Sequence, residues 1–253
     1  YPGSKRAGEL VSKLIDSLIN KAWSSEDKDK QKALAGAAFS VMRARMEAIT
    51  VPKWTSYDKY IQLSLRMLNL IKALQKGSGA LWSHSDNPSD AMSEHAILNA
   101  EEVAWLYNDL GLALCCEGSM HDAFAVWEQG YEINRLIESG ERAGHFVVQS
   151  KLHLCHTMLE LGNINAANQF MEETEEANFW LGNEDFAGRI LGYKGLLAHL
   201  RGNLENADKF FKASIEKLGK PGGNTRAESI FRRYRADLLI RREQWGEAKN
   251  DIG

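Results

Sequence analysis

Apolar residues recur along this chain at helical spacing, i, i+3, i+4 and i+7, and short turn signals interrupt them at near-regular intervals. The segment "ELVSKLIDSLINKAW" carries Leu10, Leu14, Leu18, Ile19 and Trp23 as one helical stripe. Ser24 or Ser25 is placed to cap the next helix, with Glu26, Asp27 and Asp29 favourable in its first turn. That helix runs through "ALAGAAFSVMRARMEAI" until Pro52, and a third, "SYDKYIQLSLRMLNLIKALQK", ends at Gly77. "GSGALWSHSDNPSD", residues 77–90, reads as a linker rich in Gly, Ser, Asn and Asp. Four prolines in 253 residues leave nearly the whole chain free to be helical. The expected class is therefore all-α, with an N-terminal helical block over 1–76, the linker over 77–90 and a repeat region over 91–253.

Aligning the chain with itself exposes the repeat. "EGSMHDAFAVW" begins at Glu117, "LGNINAANQFM" at Leu161, "RGNLENADKFF" at Arg201 and "REQWGEAKNDI" at Arg242, offsets of 44, 40 and 41 residues. Each copy passes through a short turn to an apolar residue (Met120, Ile164, Leu204, Trp245) and then, three residues on, to alanine (Ala123, Ala167, Ala207, Ala248). Four residues later stands Trp127, Met171 or Phe211, with Ile252 in the last copy. Upstream of the turns lie periodic apolar segments such as "WLYNDLGLALCC" and "LGYKGLLAHL". Gly118, Gly162 and Gly202 fall where a first helix ends, a place that favours the left-handed conformation. The alanine sits where two helices cross closely, and the bulky residue is expected to fill the space between neighbouring hairpins. One hairpin cannot cover its own apolar face, so copies must stack.

This pattern resembles the tetratricopeptide repeat (TPR) over roughly residues 98–253. The family's small first-helix position maps to Gly111, Cys155, Gly195 and Ala236, and its first-helix aromatic to Tyr107. Lys151, Leu191 and Arg232 depart from that aromatic, and the closing proline is missing. The 40–44-residue period exceeds the usual 34 and implies helices longer by about a turn. The copies resemble those of regulatory and signalling multidomain proteins. The resemblance implies an antiparallel helix-hairpin solenoid, a TPR-like superhelix with the last copy truncated. Residues 1–76 belong either to degenerate hairpins of the same solenoid or to a distinct helical adaptor.

Charge refines the picture. The chain carries a net −3, but residues 90–185 hold eighteen Asp and Glu against three Lys and Arg. A middle so acidic argues against nucleic acid as partner, because phosphates require a cationic stripe. No apolar run reaches the roughly 18 residues of a membrane span, so no membrane partner is expected. Three cysteines, two of them adjacent (Cys115, Cys116), make no disulfide framework and suit a reduced, cytoplasmic setting. The missing initiator Met, and an end at Asp251-Ile252-Gly253, point to a segment of a longer protein.

Catalytic chemistry finds little footing. His153 and His156 share a helix face, but a structural zinc site takes four ligands and no second cluster has matching spacing. The Cys115–Cys116 side chains diverge around a helix and read as small packing residues. "GSGALWS" lacks the lysine of a phosphate-binding loop. Glu172-Glu173 and Glu175-Glu176 read as a solvated helix face. The expectation is no enzyme, no metal and no cofactor.

The resemblance instead implies a groove lined by first helices. Carried over position by position, it names Trp105 and Asn108 in the first copy and Gln149, His153 and His156 in the second. The third supplies Arg189 and Tyr193, and the fourth Arg233 and Tyr234. Aromatic and arginine side chains are frequent interface anchors. Chaperone-binding members clamp a C-terminal carboxylate with lysine and asparagine, whereas Asn108 and Leu112 occupy those places here. The implied function is a protein-interaction scaffold for a peptide or protein surface, another domain of the same protein included. The alternative is a sensor or autoinhibitory repeat arm of a larger signalling ATPase or protease-type protein.

Overall fold

The computed structural model describes residues 2–48, 57–76, 98, 100–135 and 141–252. Among them it contains eleven α-helices and no strand. The linker expected over 77–90 lies outside the described residues, as does Pro52. The chain divides into two compact units, Tyr1–Glu138 and Ser139–Gly253.

The first unit holds α1 (Pro2–Ser24), α2 (Lys28–Ala48), α3 (Asp58–Lys76), α4 (Ala100–Cys116) and α5 (Met120–Asn134). Pairs α1/α2 and α4/α5 are hairpins, and α3 packs against α1 and α4. The cap of α2 is Asp27 rather than Ser24 or Ser25. Its Oδ1 accepts from the Asp29 and Lys30 amides at 2.9 and 3.1 Å, since a carboxylate satisfies two orphan N–H groups and suits the positive helix end. The buried stripe on α1 is also narrower than its apolar residues. Ser12, Ile15, Ile19 and Ala22 are buried, while Leu10, Leu14 and Trp23 stay exposed.

The second unit stacks three hairpins: α6 (Glu141–Glu160) with α7 (Ile164–Leu181), α8 (Glu184–Leu200) with α9 (Leu204–Leu218), and α10 (Thr225–Arg241) with α11 (Trp245–Ile252). Ala123, Ala167, Ala207 and Ala248 are all buried at the crossings. In two copies the bulky residue beyond the alanine sits differently from expectation. It presses on the small residue of its own hairpin: Trp127 lies over Gly111 and Phe211 over Gly195, where an added Cβ would come within 2.7 Å of the Phe211 ring. Trp127 Nε1 also donates to the Asn108 carbonyl at 3.1 Å. In the middle copy, Cys155 Sγ reaches the Ala167 carbonyl at 3.3 Å. Phe211 bridges hairpins as well, through its stacked contact with Tyr234.

The four turns share one bonding pattern. Gly118, Gly162, Gly202 and Glu243 bond to the carbonyl three residues back, and the next amide to the one five back. That double bond is the Schellman closure, which requires a left-handed residue. The glycines adopt φ of 74 to 82°, and Glu243 is the one non-glycine at positive φ (60°) among the described residues. Asparagine then starts the helices: Asn163, Asn183, Asn203 and Asn224 cap α7, α8, α9 and α10 through side-chain oxygens.

The last hairpin is fastened electrostatically. Arg235 on α10 is buried and donates to Asp208 on α9 at 2.7 Å and to Asp251 and Glu247 on α11 at 2.6 and 3.1 Å. The Asp251 side chain is 4% exposed, so removing the arginine leaves a buried carboxylate with only Arg232, 3.4 Å away, as its cation. Arg235→Met is expected to destabilise the second unit by on the order of 3 kcal/mol, read from urea denaturation; an unchanged midpoint would show the network to be ornamental. Conversely, Glu243→Gly relieves left-handed strain of about 1–2 kcal/mol, partly offset by glycine's extra unfolded-state entropy. Its expected effect is a thermal midpoint higher by about 2 °C, with no change in helix content by circular dichroism.

Candidate functional site

Three first helices, α6, α8 and α10, adjoin in the second unit, with α8 between the others. Side chains from both flanking helices meet across it. The Tyr234 hydroxyl on α10 donates to Glu160 Oε1 on α6 at 3.2 Å, and His156 Nε2 stands 3.3 Å from that same oxygen. Beneath them the His156 ring lies 5.5 Å from the Tyr193 ring of α8, which meets Phe231 of α10 edge-on at 5.4 Å. Above, the Arg233 guanidinium covers the Tyr234 ring at 5.6 Å. A polar rim of His156, Glu160, Tyr234 and Arg233 thus rests on an aromatic floor.

The electrostatics derive from this crowding. Hydrogen bonding from His156 holds the Glu160 carboxyl below the ordinary range against the opposing cost of burial, with help from Tyr234 and Arg233. Burial, and then the neighbouring Glu160 charge, push the Tyr234 phenol up. Glu160 completes the rim, at a first-helix position five residues after Cys155 that the repeat register also assigns to the groove. Its legible signal is an acid four residues after His156, at the end of a first helix.

The nine expected residues separate by unit and by depth. His156, Tyr193, Arg233 and Tyr234 come together at the rim and its floor. Arg189 spreads over the Phe186 ring at 5.5 Å on α8. Gln149 is half-buried on α6 and hydrogen-bonds His145. His153 is not a partly exposed groove residue: it is buried, and burial together with the charges of Arg189, His156 and Arg226 drives its pKa well below the ordinary value. Tyr193 too is buried, 9% exposed, and works as floor rather than rim. Trp105 and Asn108 belong to the first unit. Trp105 is clasped by α2, edge-on to Phe39 at 5.6 Å with Arg43 over its ring, and Asn108 bonds Asp109 at 3.1 Å.

Among the described residues, no group of three or more His, Cys, Asp or Glu is arranged to hold a metal ion. No described helix is long and apolar enough to cross a membrane.

The chain is an all-α helical-repeat protein. No family model and no curated protein matches its sequence. Among solved structures, its fold is similar to BtubC (BKLC) from P. vanneervenii, with TM-score 0.49 and 12% identity over 90% of this chain and 89% of that one. The MamA RS-1 ArsTM double mutant gives 0.43 and 11% over 86% and 90% of the two chains. The Rap protein complexed with competence and sporulation factor gives 0.41 and 11% over 96% and 73%. At these identities the likeness is one of fold.

Three histidines of the second unit, His145, His153 and His199, have pKa values lowered chiefly by burial. Their neutral forms are favoured in the fold, so the unfolded chain binds more protons as pH drops through the unfolded value of about 6.5. Stability is therefore full above that value and is lost as pH falls below it. This loss precedes that of Glu160, Glu173 and Asp208, whose lowered values place their contribution at more acidic pH. The urea midpoint should fall between about pH 7.5 and about pH 5.5, and less steeply in His153→Gln. Equal slopes for wild type and His153→Gln would remove His153 from the account.

Proposed function

We propose that this chain is a non-enzymatic protein-interaction scaffold of the tetratricopeptide type, and that the α6–α8–α10 face of the second unit recognises a peptide or protein surface. The observation that carries the reading is the rim in which α10 reaches α6 through Tyr234 and Glu160, two residues 74 positions apart. A partner laid across that rim touches three hairpins at once. Arg233 is exposed and Tyr234 half-buried over a closed aromatic floor, so polar atoms face outward for hydrogen bonding while the rings offer a flat apolar contact. In this reading the scaffold works in a reducing, cytoplasmic setting. Cys115, Cys116 and Cys155 form no disulfide, and burial pushes the Cys155 thiol up to about 12.

The test is capture of interacting proteins with the wild-type chain beside Arg233→Glu, followed by direct titration of any retained partner. Arg233 is exposed, so reversal of its charge should leave the thermal midpoint unchanged while weakening binding by about tenfold or more. His156→Ala should act in the same direction. Tyr193→Ala is unsuitable, since it opens the floor. Equal affinity in wild type and Arg233→Glu would move recognition off this face.

A further inference from the structure

The two most exposed large apolar side chains among the described residues are neighbours: Phe179 at 77% and Trp180 at 81%, in the last turn of α7. Their rings meet edge-on at 5.3 Å and brace each other into a fixed aromatic platform. The platform lies on a second helix, on elements other than the α6–α8–α10 rim. Helix α7 contains four glutamates and neither lysine nor arginine. Two of the four have cations within the fold, Glu173 with Lys151 and Glu175 with Lys194. Glu172, bonded only by the Asn168 amide at 2.6 Å, and Glu176 have no cationic partner among the described residues. Residues 172, 176, 179 and 180 keep the i, i+4, i+7, i+8 spacing of one helix face. The carbonyl end of the helix dipole adds negative potential at the aromatic end.

We propose that this outer face of α7 docks a basic amphipathic segment of a partner protein. Its arginine or lysine side chains would lie over Trp180 and Phe179 and pair with Glu176 and Glu172, and its apolar side would cover the rings. The charge argues for this occupant. An aromatic platform attracts cations to its ring faces, tryptophan most strongly, and two unpaired carboxylates beside it select against an acidic partner. An anionic lipid surface is disfavoured by the same carboxylates. A second copy of this face is disfavoured because it would set glutamates against glutamates.

The experiment is fluorescence anisotropy of a labelled helical peptide of about 20 residues built from Arg, Leu and Ala, beside its Glu-for-Arg counterpart, titrated with the chain. The basic probe should bind, weaken with added salt, and lose about tenfold or more in affinity to Phe179→Ala/Trp180→Ala. Glu172→Gln/Glu176→Gln should lose about threefold or more, and the acidic probe should not bind. Both variants change exposed positions, so unchanged thermal midpoints are expected and keep the comparison interpretable. Arg233→Glu should bind the basic probe as wild type does, separating this face from the rim. Equal binding of the two probes, or of the wild type and the aromatic variant, would overturn the proposal. So would sedimentation showing a dimer that Phe179→Ala/Trp180→Ala dissolves, or retention on phosphatidylcholine vesicles that the same variant abolishes.

Discussion

The α4/α5 hairpin of the first unit and the α8/α9 hairpin of the second depend on one packing constraint: a residue without bulk on the first helix must receive a large ring from the second. At Gly111 and Gly195 the pocket is so tight that even a methyl group would collide with Trp127 or Phe211. The cost of overpacking such a contact, about 1–3 kcal/mol, is comparable to a sizeable part of a domain's net stability. Because the two helices are locked at this depth, the buried alanine one turn earlier is held at the crossing, and the turn between the helices has no freedom in length. The same Schellman bonding closes all four turns, at Gly118, Gly162, Gly202 and Glu243. Even where the sequence puts glutamate at the turn, the backbone still takes the left-handed conformation. Packing dictates the turn there, against the residue's own preference.

The α8/α9 crossing rests on apolar contact at Gly195 and Phe211, whereas the last hairpin is fastened ionically, both within itself and to α9. Arg235 gathers carboxylates from α9 and α11, and Lys212 and Arg232 share all three of them. Helix α11 has eight residues, too few to bury an extensive apolar stripe. Charge pairing substitutes for missing area, and fixes α11 in register through the directionality of the guanidinium fork. The same economy explains the α7 glutamates. Two are engaged by lysines of neighbouring first helices, which fastens α7 to α6 and α8 and leaves the other two facing outward.

The fold is legible in the sequence because a repeat multiplies a weak signal. One Gly-x-apolar-x-x-Ala run is a poor predictor, whereas three of them and a fourth copy with Glu243 in the glycine's place, at offsets of 40–44 residues, leave little choice of architecture. Less visible is depth. His153 and His156 are three residues apart and share a helix face, yet one is buried and the other stands at the rim, because a rotation of roughly 60° around the helix crosses from core to surface. No spacing rule separates such a pair without knowledge of where the next helix lies. Position within the repeat assigns Trp105 to a groove, and the structure packs it on α2, an element outside the repeat pattern. The Arg235 network is illegible for a stronger reason: its members, at 208, 235, 247 and 251, come from three helices and share no local periodicity. The asparagine caps carry a signal that apolar periodicity passes over, since Gly-Asn stands before helices α7, α8, α9 and α10 alike.

Depth also explains why the rim gathers where it does. The position three residues before the small residue is occupied in turn by Asn108, Leu152, Gly192 and Arg233. A slot shared by all copies would be expected to hold one residue type if the helix pair alone governed it. In the third copy the slot must be glycine, because the Phe231 ring of the next hairpin presses into it. In the fourth, the slot opens outward and holds an exposed arginine. The neighbour stacked on a hairpin, rather than the hairpin itself, therefore decides whether this position is core or surface. Phe231 closes the floor at Gly192 and so brings α10 close enough to α6 for Tyr234 to reach Glu160. The residues that repeat build the fold, and the residues that break the repeat, Glu160, Gly192, Arg233 and Tyr234, build the rim.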